Sequence, residues 1–302
     1  MKDNPRLSSL LARLPSSSRS DMEFLLCHIL NCRTIDLYKD PQRIVTRTQY
    51  RRLQGLLGKY SRGWPVAYLT GHKEFMSLDF VVTRDVLIPR PETELLVEEA
   101  IKLLLSLRCP DVRLGESNPV IFDVGTGSGN IAISIAKHSP IKNLRVIASD
   151  VSRSALRIAR LNAQYHKITQ ISLRWSQRRQ KQSASISFCQ GSLFKPFKGI
   201  KADLIVSNPP YISRAEKSKW QPGLKYEPPK ALWADKKGMA YIEKIIKQAS
   251  EYLKPDGWLL VEIGIRQAKE TMKIAKSTGT FCDIKIVPDY NRIPRVLVAN
   301  RC

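Results

Sequence analysis

The stretch "FDVGTGSGN" (residues 122–130) decides the fold, because an apolar run leads into three glycines and a helix-forming segment follows. Glycines in such a turn let a ligand approach the backbone and the N-terminus of the next helix. The spacing is GxGxG, whereas dinucleotide folds use GxGxxG and a P-loop needs a Lys-Ser/Thr pair that is missing here. The pattern therefore predicts a cofactor-binding turn. Its members are Gly125, Thr126, Gly127, Ser128 and Gly129.

Outward from this turn, short apolar strands alternate with helices from residue 118 to the end of the sequence. Such alternation predicts a Rossmann-like α/β fold with a mainly parallel sheet covered on both faces. The last two strands are joined by a short connection and suggest an antiparallel hairpin at one end of the sheet. The seven predicted strands are 119–125, 144–150, 186–191, 202–208, 257–264, 282–289 and 295–300. The predicted helices are 92–107, 130–139, 152–166 with Ser152 as N-cap, and 238–253.

The N-terminal part of the sequence has a different character. Residues 1–70 show helical periodicity and predict a small helical bundle, in which Ser20 and Glu23 have the spacing of a capping box. Residues 71–90 predict a short β-hairpin linker, and Pro89 and Pro91 prevent a helix from continuing before residue 91. We therefore expect a helical domain over 1–70, a linker over 71–90 and an α/β domain over 91–302.

The stretch "DLIVSNPPYIS" (203–213) reads as a buried strand that ends in an amide, two prolines and an aromatic residue. Asn and Pro end many strands, so a plain turn is the alternative. Prolines cannot pair in a ladder, which leaves the carbonyls of Asn208 and Pro209 free to accept hydrogen bonds. With the Asn208 side-chain oxygen these form acceptors for a planar –NH₂ group, and Tyr211 can stack on its flat face. The sequence predicts a substrate site at Asn208, Pro209, Pro210 and Tyr211, with Asn208, Pro209 and Tyr211 catalytic.

Two acids flank the glycine turn in the predicted sheet. Asp150 ends the next strand, where a carboxylate can accept both ribose hydroxyls of a nucleoside cofactor. Asp123 precedes the glycines and can face a cationic amino group or orient the turn. A helix N-cap is the alternative for Asp150, although Ser152 already fits that position. Together with the GxGxG spacing, these acids favour S-adenosyl-L-methionine over NAD.

The net charge of +23, from 50 Lys and Arg against 27 Asp and Glu, points to an acidic partner such as nucleic acid. Two stretches without any acid, 43–73 and 151–202, contain much of the excess. They predict contacts with phosphate, including ribosomal RNA, but show no base-reading pattern. A generally basic proteome is the alternative. The polar, basic segment 174–185 is interpreted as a surface loop insertion.

No apolar run approaches the roughly 20 residues that cross a bilayer, and the first 20 residues lack a signal-peptide core. We expect a cytoplasmic monomer without membrane contact, with a mitochondrial or other organellar location as the alternative. The six cysteines show no CxxC spacing, which predicts free thiols and no metal site.

Five segments in order resemble the release-factor glutamine methyltransferase family (PrmC/HemK), a group of class I S-adenosylmethionine-dependent methyltransferases. They are "PVAYLTGHKEFMSLDF" (65–80), "LIPRPETELLVE" (87–98), "DVGTGSGNIAI" (123–133), "SNPPYI" (207–212) and "YEPPKAL" (226–232). The resemblance runs from about residue 20 to the end and includes the helical N-terminal domain.

The resemblance implies N5-methylation of the glutamine in the Gly-Gly-Gln motif of class 1 peptide chain release factors. It implies that residues 125–129, Asp150 and Asn208 bind S-adenosyl-L-methionine, and that residues 208–211 hold the glutamine amide. It also implies that the helical domain grips the release factor. Arg90 and Glu94 match the family's Arg-Pro-x-Thr-Glu segment, without an assigned role.

The sequence departs from the family pattern in "QGSLF" (190–194), where the family usually has an acid in place of Ser192. That acid is expected to contact the adenine amino group, so Ser192 and the following Leu193 are assigned to the cofactor site. Serine at position 192 predicts either weaker cofactor binding or an adenine contact made by a backbone group instead.

Two other functions remain as alternatives. Motifs of the NPPY type also serve exocyclic amines, so a nucleic-acid methyltransferase acting on adenine or guanine fits the +23 charge. The basic runs and Ser192 also fit a non-catalytic RNA-binding protein on a methyltransferase fold. The N-terminal helical domain opposes the first alternative, and the intact glycine turn opposes the second.

Overall fold

The computed structural model describes residues 4–12, 14–106, 118–141, 143–171, 184–215 and 222–302. The chain forms two compact units, Met1–His72 with Gln221–Tyr226, and Lys73–Trp220 with Glu227–Cys302. In the described ranges, no helix has the length and apolar character needed to span a membrane.

The first unit is a small helical bundle. Its core is apolar and includes the fully buried residues Leu7, Leu25, Leu37 and Val45. A Thr46–Gln49 capping box begins the fourth helix, with Thr46 Oγ1 accepting from Gln49 N at 3.3 Å. The helices are α1 (Leu7–Leu11), α2 (Arg19–Leu30), α3 (Thr34–Lys39), α4 (Arg47–Tyr60) and α5 (Val66–Thr70).

The prediction that Ser20 caps the second helix is wrong. Helix α2 begins at Arg19, directly after a 3₁₀ turn over Ser16–Ser18, so Ser20 already lies inside the first turn. The chain is helical before the expected start, and a capping spacing cannot reveal a preceding 3₁₀ turn.

The remaining elements build a two-stranded hairpin and the α/β unit. The hairpin consists of β1 (His72–Phe75) and β2 (Leu78–Val81). The other helices are α6 (Glu94–Ser106), α7 (Asn130–His138), α8 (Arg153–Tyr165), α9 (Pro229–Leu232), α10 (Ala240–Ala249) and α11 (Ala268–Ser277). The other strands are β3 (Val120–Val124), β4 (Arg145–Asp150), β5 (Thr169–Gln170), β6 (Ser185–Gln190), β7 (Ala202–Ser207), β8 (Ile212–Ser213), β9 (Trp233–Ala234), β10 (Leu253–Glu262), β11 (Phe281–Pro288) and β12 (Pro294–Arg301).

The central sheet has the order β11-β12-β10-β7-β3-β4-β6-β5. The strands from β10 to β5 run parallel, and β12 pairs antiparallel with both β10 and β11. The mainly parallel sheet and its terminal antiparallel hairpin are therefore confirmed. The sheet has eight strands, one more than predicted, because the two residues of β5 are too few to show a strand pattern.

Both faces of the sheet are covered, as predicted. One face packs on α6 and α7 through residues such as Leu96, Ile133 and Ile121. The other packs on α10 and α11 through residues such as Ile246 and Ala275. Since parallel strands are buried on both faces, β7 is buried along its whole length.

Three features differ from the sequence expectations or fall outside the structure. Helix α11 is not among the predicted elements. A disulfide joins Cys282 and Cys302, whose Cα atoms are 5.4 Å apart, so the expectation of free thiols is wrong for this pair. Sequence spacing could not show that Cys302 lies beside Cys282 of β11. Residues 174–183 of the predicted loop insertion lie outside the described residues.

Candidate functional site

The glycine turn joins the end of β3 to α7 and is held mainly by β4. The amides of Gly125 and Thr126 both donate to Ser149 O at 2.8 Å. Gly127 and Gly129 have φ values of +56° and +82°, a region that favours glycine. A Cβ on Gly129 would lie 3.0 Å from the Ile133 side chain, whereas one on Gly127 would meet nothing within 4 Å. The turn is thus packed on its helix side and open where a ligand can approach.

Asp150 ties the glycine turn to the beginning of α8. Its Oδ2 accepts from Gly127 N at 2.9 Å, and its Oδ1 accepts from Ser152 N at 2.8 Å. Burial raises the pKa of Asp150, and these backbone hydrogen bonds oppose the shift. Ser152 Oγ caps α8 by accepting from Ala155 N at 3.2 Å, which confirms the predicted cap. Each Asp150 oxygen retains a lone pair that can accept from a ligand hydroxyl.

Asp123 is fully buried at the end of β3. Its Oδ2 accepts from Thr126 Oγ1 at 2.6 Å, while its Oδ1 has no hydrogen-bond partner of ordinary geometry among the described residues, although the Ala132 amide lowers the pKa of the carboxyl. Burial raises the pKa of Asp123 to about 7. The carboxyl therefore orients the turn with one oxygen and leaves the other unpaired, where a cationic group would be stabilised.

A buried asparagine that the sequence did not single out supports the same turn. Asn162 on α8 donates to Ser128 O at 2.9 Å and to Val81 O at 3.0 Å, and accepts from Val81 N at 2.8 Å. All of its side-chain groups are used, so it links the glycine turn to β2. A buried Asn on an otherwise apolar helix face is the signal that could have found it.

The Asn208–Tyr211 segment lies at the same sheet edge as the glycine turn. Ser207 Oγ, at the end of β7, donates to Val124 O at 2.7 Å and so joins the ends of the two neighbouring strands. Among the described residues, none donates to the carbonyls of Asn208 or Pro209. The Asn208 Nδ2 atom donates to Thr93 Oγ1 at 2.9 Å.

Tyr211 is held at both ends by residues that the sequence did not single out. Its hydroxyl donates to Glu262 Oε1 at 3.1 Å, and its carbonyl accepts from Gln267 Nε2 at 3.0 Å. Burial raises the pKa of the Tyr211 phenol well above its usual value. Gly238 has a φ of +90°, and a Cβ there would lie 2.1 Å from Tyr211 O. The segment is thus enclosed by three other parts of the chain.

Glu262 could have been identified from the sequence as a candidate site residue. It is a fully buried acid at the end of the apolar run "WLLVE" in β10. Buried acids in parallel strands are rare unless they are paired, so this position could have been flagged. Burial raises the pKa of Glu262 to about 7, and hydrogen bonding from Thr93 and Tyr211 opposes the shift.

The Arg-Pro-x-Thr-Glu segment is connected to its surroundings by ion pairing and backbone bonds. Arg90 donates to the buried Glu227, which also accepts from Ile88 N at 3.1 Å. Glu94 accepts from Met76 N at 2.8 Å in the hairpin turn. Arg90 and Glu94 therefore hold neighbouring segments in place.

Ser192 and Leu193 follow β6, beside the end of β4. Gly191 N donates to Asp150 O at 3.0 Å, which brings this segment next to the glycine turn. Ser192 is exposed, and Leu193 has a φ of +50°. The predicted cofactor residues thus lie at the adjacent ends of β3, β4, β6 and β7, although no hydrogen bond joins the Ser192 side chain to the other described residues of this group.

Residues 6–71 match the family described as PrmC N-terminal domain, and residues 100–221 match that described as Methyltransferase small domain. A release factor glutamine methyltransferase from Geobacter sulfurreducens is 36% identical over 282 residues, 93% of this chain and 89% of that protein. Another from Koribacter versatilis is 37% identical over 297 residues, 98% of this chain and 95% of that protein.

Among solved structures, a methyltransferase from Pyrococcus furiosus aligns with 84% of this chain and 98% of its own, at 16% identity and a TM-score of 0.49. The relatives, in contrast, exceed one third identity along nearly the whole of both chains. This chain belongs to the release factor glutamine methyltransferase family.

Proposed function

We propose that this chain methylates the side-chain nitrogen (N5) of the glutamine in the Gly-Gly-Gln motif of class 1 peptide chain release factors. S-adenosyl-L-methionine is the methyl donor. The observation that carries the proposal is the set of open acceptors at Asn208 and Pro209, beside a GxGxG turn, in a member of this family. Such acceptors suit a planar amide that donates two hydrogens.

The residues around the glycine turn fit the methyl donor, S-adenosyl-L-methionine. The unpaired Asp123 Oδ1 suits the ammonium of its methionine part, and Asp150 suits the ribose hydroxyls. The turn residues Gly125, Thr126, Gly127, Ser128 and Gly129 would line its approach, with Asn208 beside them, and Ser192 and Leu193 would contact the adenine. When bound, the cofactor supplies a methyl group made electrophilic by a sulfonium.

The Asn208–Tyr211 segment would prepare a poor nucleophile. An amide nitrogen is weakly nucleophilic because its lone pair is delocalised into the carbonyl. Asn208 Oδ1 and the Pro209 carbonyl would accept its two hydrogens and fix the direction of the nitrogen. Pro210 keeps the segment rigid, and the Tyr211 ring, held through Glu262, would stack on the amide plane. The contribution is therefore positioning and electrostatic stabilisation without a strong general base.

A transfer assay tests the function directly. Purified chain, methyl-labelled S-adenosyl-L-methionine and a class 1 release factor should give labelled protein. A release factor whose Gly-Gly-Gln glutamine is replaced by Glu should stay unlabelled. Asn208→Ala should abolish transfer while the chain keeps its melting temperature. Label in total RNA alone would favour a nucleic-acid methyltransferase, and label in neither acceptor would favour a binding protein.

We also propose that the helical part, residues 1–70, grips the release factor away from the reacting glutamine, with 71–90 as linker and 91–302 as catalytic domain. Exposed apolar side chains support a contact role, with Phe24 50% and Ile35 55% exposed. The variant Phe24→Ser/Ile35→Ser should raise KM for the release factor and leave kcat unchanged. An unchanged KM would contradict the contact.

Contact with ribosomal RNA, a monomeric state and a cytoplasmic location remain further proposals. Exposed Arg47, Arg51 and Arg52 on α4 support the RNA contact, which should weaken steeply with salt. Sedimentation at micromolar concentration should give a mass near 34.3 kDa.

A further inference from the structure

The orientation of the Asn208 amide matters for the proposed reaction, on which this inference rests. An asparagine side chain has an acceptor end, Oδ1, and a donor end, Nδ2. Only the oxygen can hold a substrate –NH₂ group, so a flipped amide would present the wrong group to glutamine. Among the described residues, none donates to Asn208 Oδ1, whereas Nδ2 has a partner.

That partner is Thr93, a residue of the Arg-Pro-x-Thr-Glu segment 115 positions earlier in the chain. Thr93 is 1% exposed, and its amide donates to Arg90 O at 3.0 Å at the start of α6. The backbone of Thr93 is therefore fixed, and its side chain is enclosed by the surrounding residues. A hydroxyl carries one hydrogen and two lone pairs. If the Thr93 hydroxyl gives its hydrogen to another group, it can only accept from Asn208, and it then fits the donor end, Nδ2.

Glu262 is the group that can take the Thr93 hydrogen. Its carboxyl is fully buried, and hydrogen bonding from Thr93 lowers its pKa against the larger effect of burial. Glu262 Oε2 has no partner of ordinary geometry among the described residues, while Oε1 accepts from the Tyr211 hydroxyl at 3.1 Å. Two other charged groups act on this carboxyl, with Arg295 lowering its pKa and Glu92 raising it.

We propose that Thr93 and Glu262 are positioning residues that hold the Asn208 amide with its nitrogen inward and its oxygen presented to the substrate. In this arrangement the Thr93 hydroxyl would give its hydrogen to the Glu262 carboxylate and present only lone pairs to Asn208, whose Nδ2 donates to Thr93 Oγ1 at 2.9 Å. The donor end of the amide is then the one that fits. The same carboxylate holds the Tyr211 hydroxyl, so one buried acid orders both ends of the Asn208–Tyr211 segment.

Thr93→Val tests this arrangement, because valine has the shape of threonine without the hydroxyl. It leaves Nδ2 of Asn208 without its acceptor, and we expect kcat on the release factor to fall about 10-fold or more. KM for S-adenosyl-L-methionine should stay within about threefold. Thr93→Ser keeps the hydroxyl and should restore most of kcat.

Thr271→Val is the matched control. Thr271 is also fully buried in the same unit, but its hydroxyl has no hydrogen-bond partner among the described residues. Its replacement should leave kcat within about twofold of the parent chain. In the double variant Thr93→Val/Glu262→Gln, kcat should be only slightly lower than in the more impaired of the two single variants, because both changes act on the Asn208 amide.

A second measurement does not depend on the acceptor. In chain labelled with ¹⁵N-asparagine, the Asn208 –NH₂ signals are identified by their loss in Asn208→Asp. They should exchange slowly with solvent in the parent chain and in Thr93→Ser, and rapidly in Thr93→Val. If the parent chain fails to label the release factor, the proposed function is wrong. The exchange rates of the Asn208 signals would still show whether Thr93 holds the Asn208 amide.

The inference is overturned if Thr93→Val keeps kcat within about threefold of the parent chain. It is also overturned if Thr93→Ser is as impaired as Thr93→Val, or if the Asn208 signals are the same in both. A drop in kcat with rescue by serine, a normal Thr271→Val control and faster exchange in Thr93→Val would establish it.

Discussion

The glycine turn and the Asn208–Tyr211 segment both follow buried strands at one sheet edge, yet different parts of the chain hold them. The turn is fixed by β4, the next strand, through Ser149 O and through Asp150, 23 positions from Gly127. The Asn208–Tyr211 segment is fixed by Thr93, 115 positions earlier, and by Glu262, 51 positions later. The residues that hold a loop can be predicted from sequence when they lie in the adjacent βαβ unit, whereas partners far away along the chain cannot.

Gly238→Ala should have the largest effect, on the Asn208–Tyr211 side. The new Cβ would lie 2.1 Å from Tyr211 O at a φ of +90°. We expect kcat to fall at least about 100-fold and the free energy of unfolding to fall by about 3 kcal/mol. Kinetics and denaturant unfolding measure the two.

Gly199→Ala is the control for this change. Its φ is +79°, but a Cβ there meets nothing within 4 Å. It should lose only about 1 kcal/mol of stability from backbone strain and keep its kcat. Equal losses in the two variants would show that the close approach to Tyr211 is unimportant.

Asp150→Ala should break the glycine turn instead. It removes the acceptor of Gly127 N and the proposed ribose acceptor, and we expect the Kd for S-adenosyl-L-methionine to rise about 100-fold by calorimetry. Ser152→Ala, which removes only the cap of α8, should lose about 1 kcal/mol of stability and leave this Kd unchanged. A shift in Kd for Ser152→Ala as large as for Asp150→Ala would argue that helix capping, and not the acid, supports binding.

Asp123 should make cofactor affinity depend on pH. Its pKa is raised to about 7 by burial, so without ligand it is mostly neutral below pH 7 and ionised above. The ionised form attracts the cofactor ammonium, which is mostly protonated at pH 7 and below. Affinity should therefore rise about fivefold from pH 6 to pH 7, and this dependence should disappear in Asp123→Asn. A titration that is flat in the parent chain would contradict the proposed contact.

Ser192→Asp should give the smallest change, a gain in affinity. Ser192 is exposed beside the end of β4, so a carboxylate there would contact the adenine amino group through partly solvated hydrogen bonds. We expect the Kd for S-adenosyl-L-methionine to fall about three- to tenfold. No change, or weaker binding, would count against an adenine role for this position.

Much of the fold follows from local patterns. Strands β3, β4, β7 and β10 carry apolar runs because parallel strands are buried on both faces, as β7 is. The Ser152 cap was visible because capping is a contact over three residues. Helix α11 was overlooked because its sequence, AKETMKIAKS, is mostly polar and buries only Thr271 and Ala275 completely.

Less of the candidate site could be predicted, and the reason is again distance along the chain. Nothing local to Thr93 indicates that it meets Asn208, and nothing local to Asn162 indicates that it reaches Ser128. Arg90 and Glu94 were noticed through a resemblance, but their partners, Glu227 and Met76, appear only when the segments pack.

The sequence by itself determined the parallel sheet, the glycine turn, Asp150 at the end of the next strand and the acceptor character of Asn208 and Pro209. These properties depend on residue type and short spacing. How Asn208 and Tyr211 are held follows only from the tertiary structure, because the hydrogen bonds that join them to Thr93, Glu262 and Gln267 form only after remote strands and helices pack together.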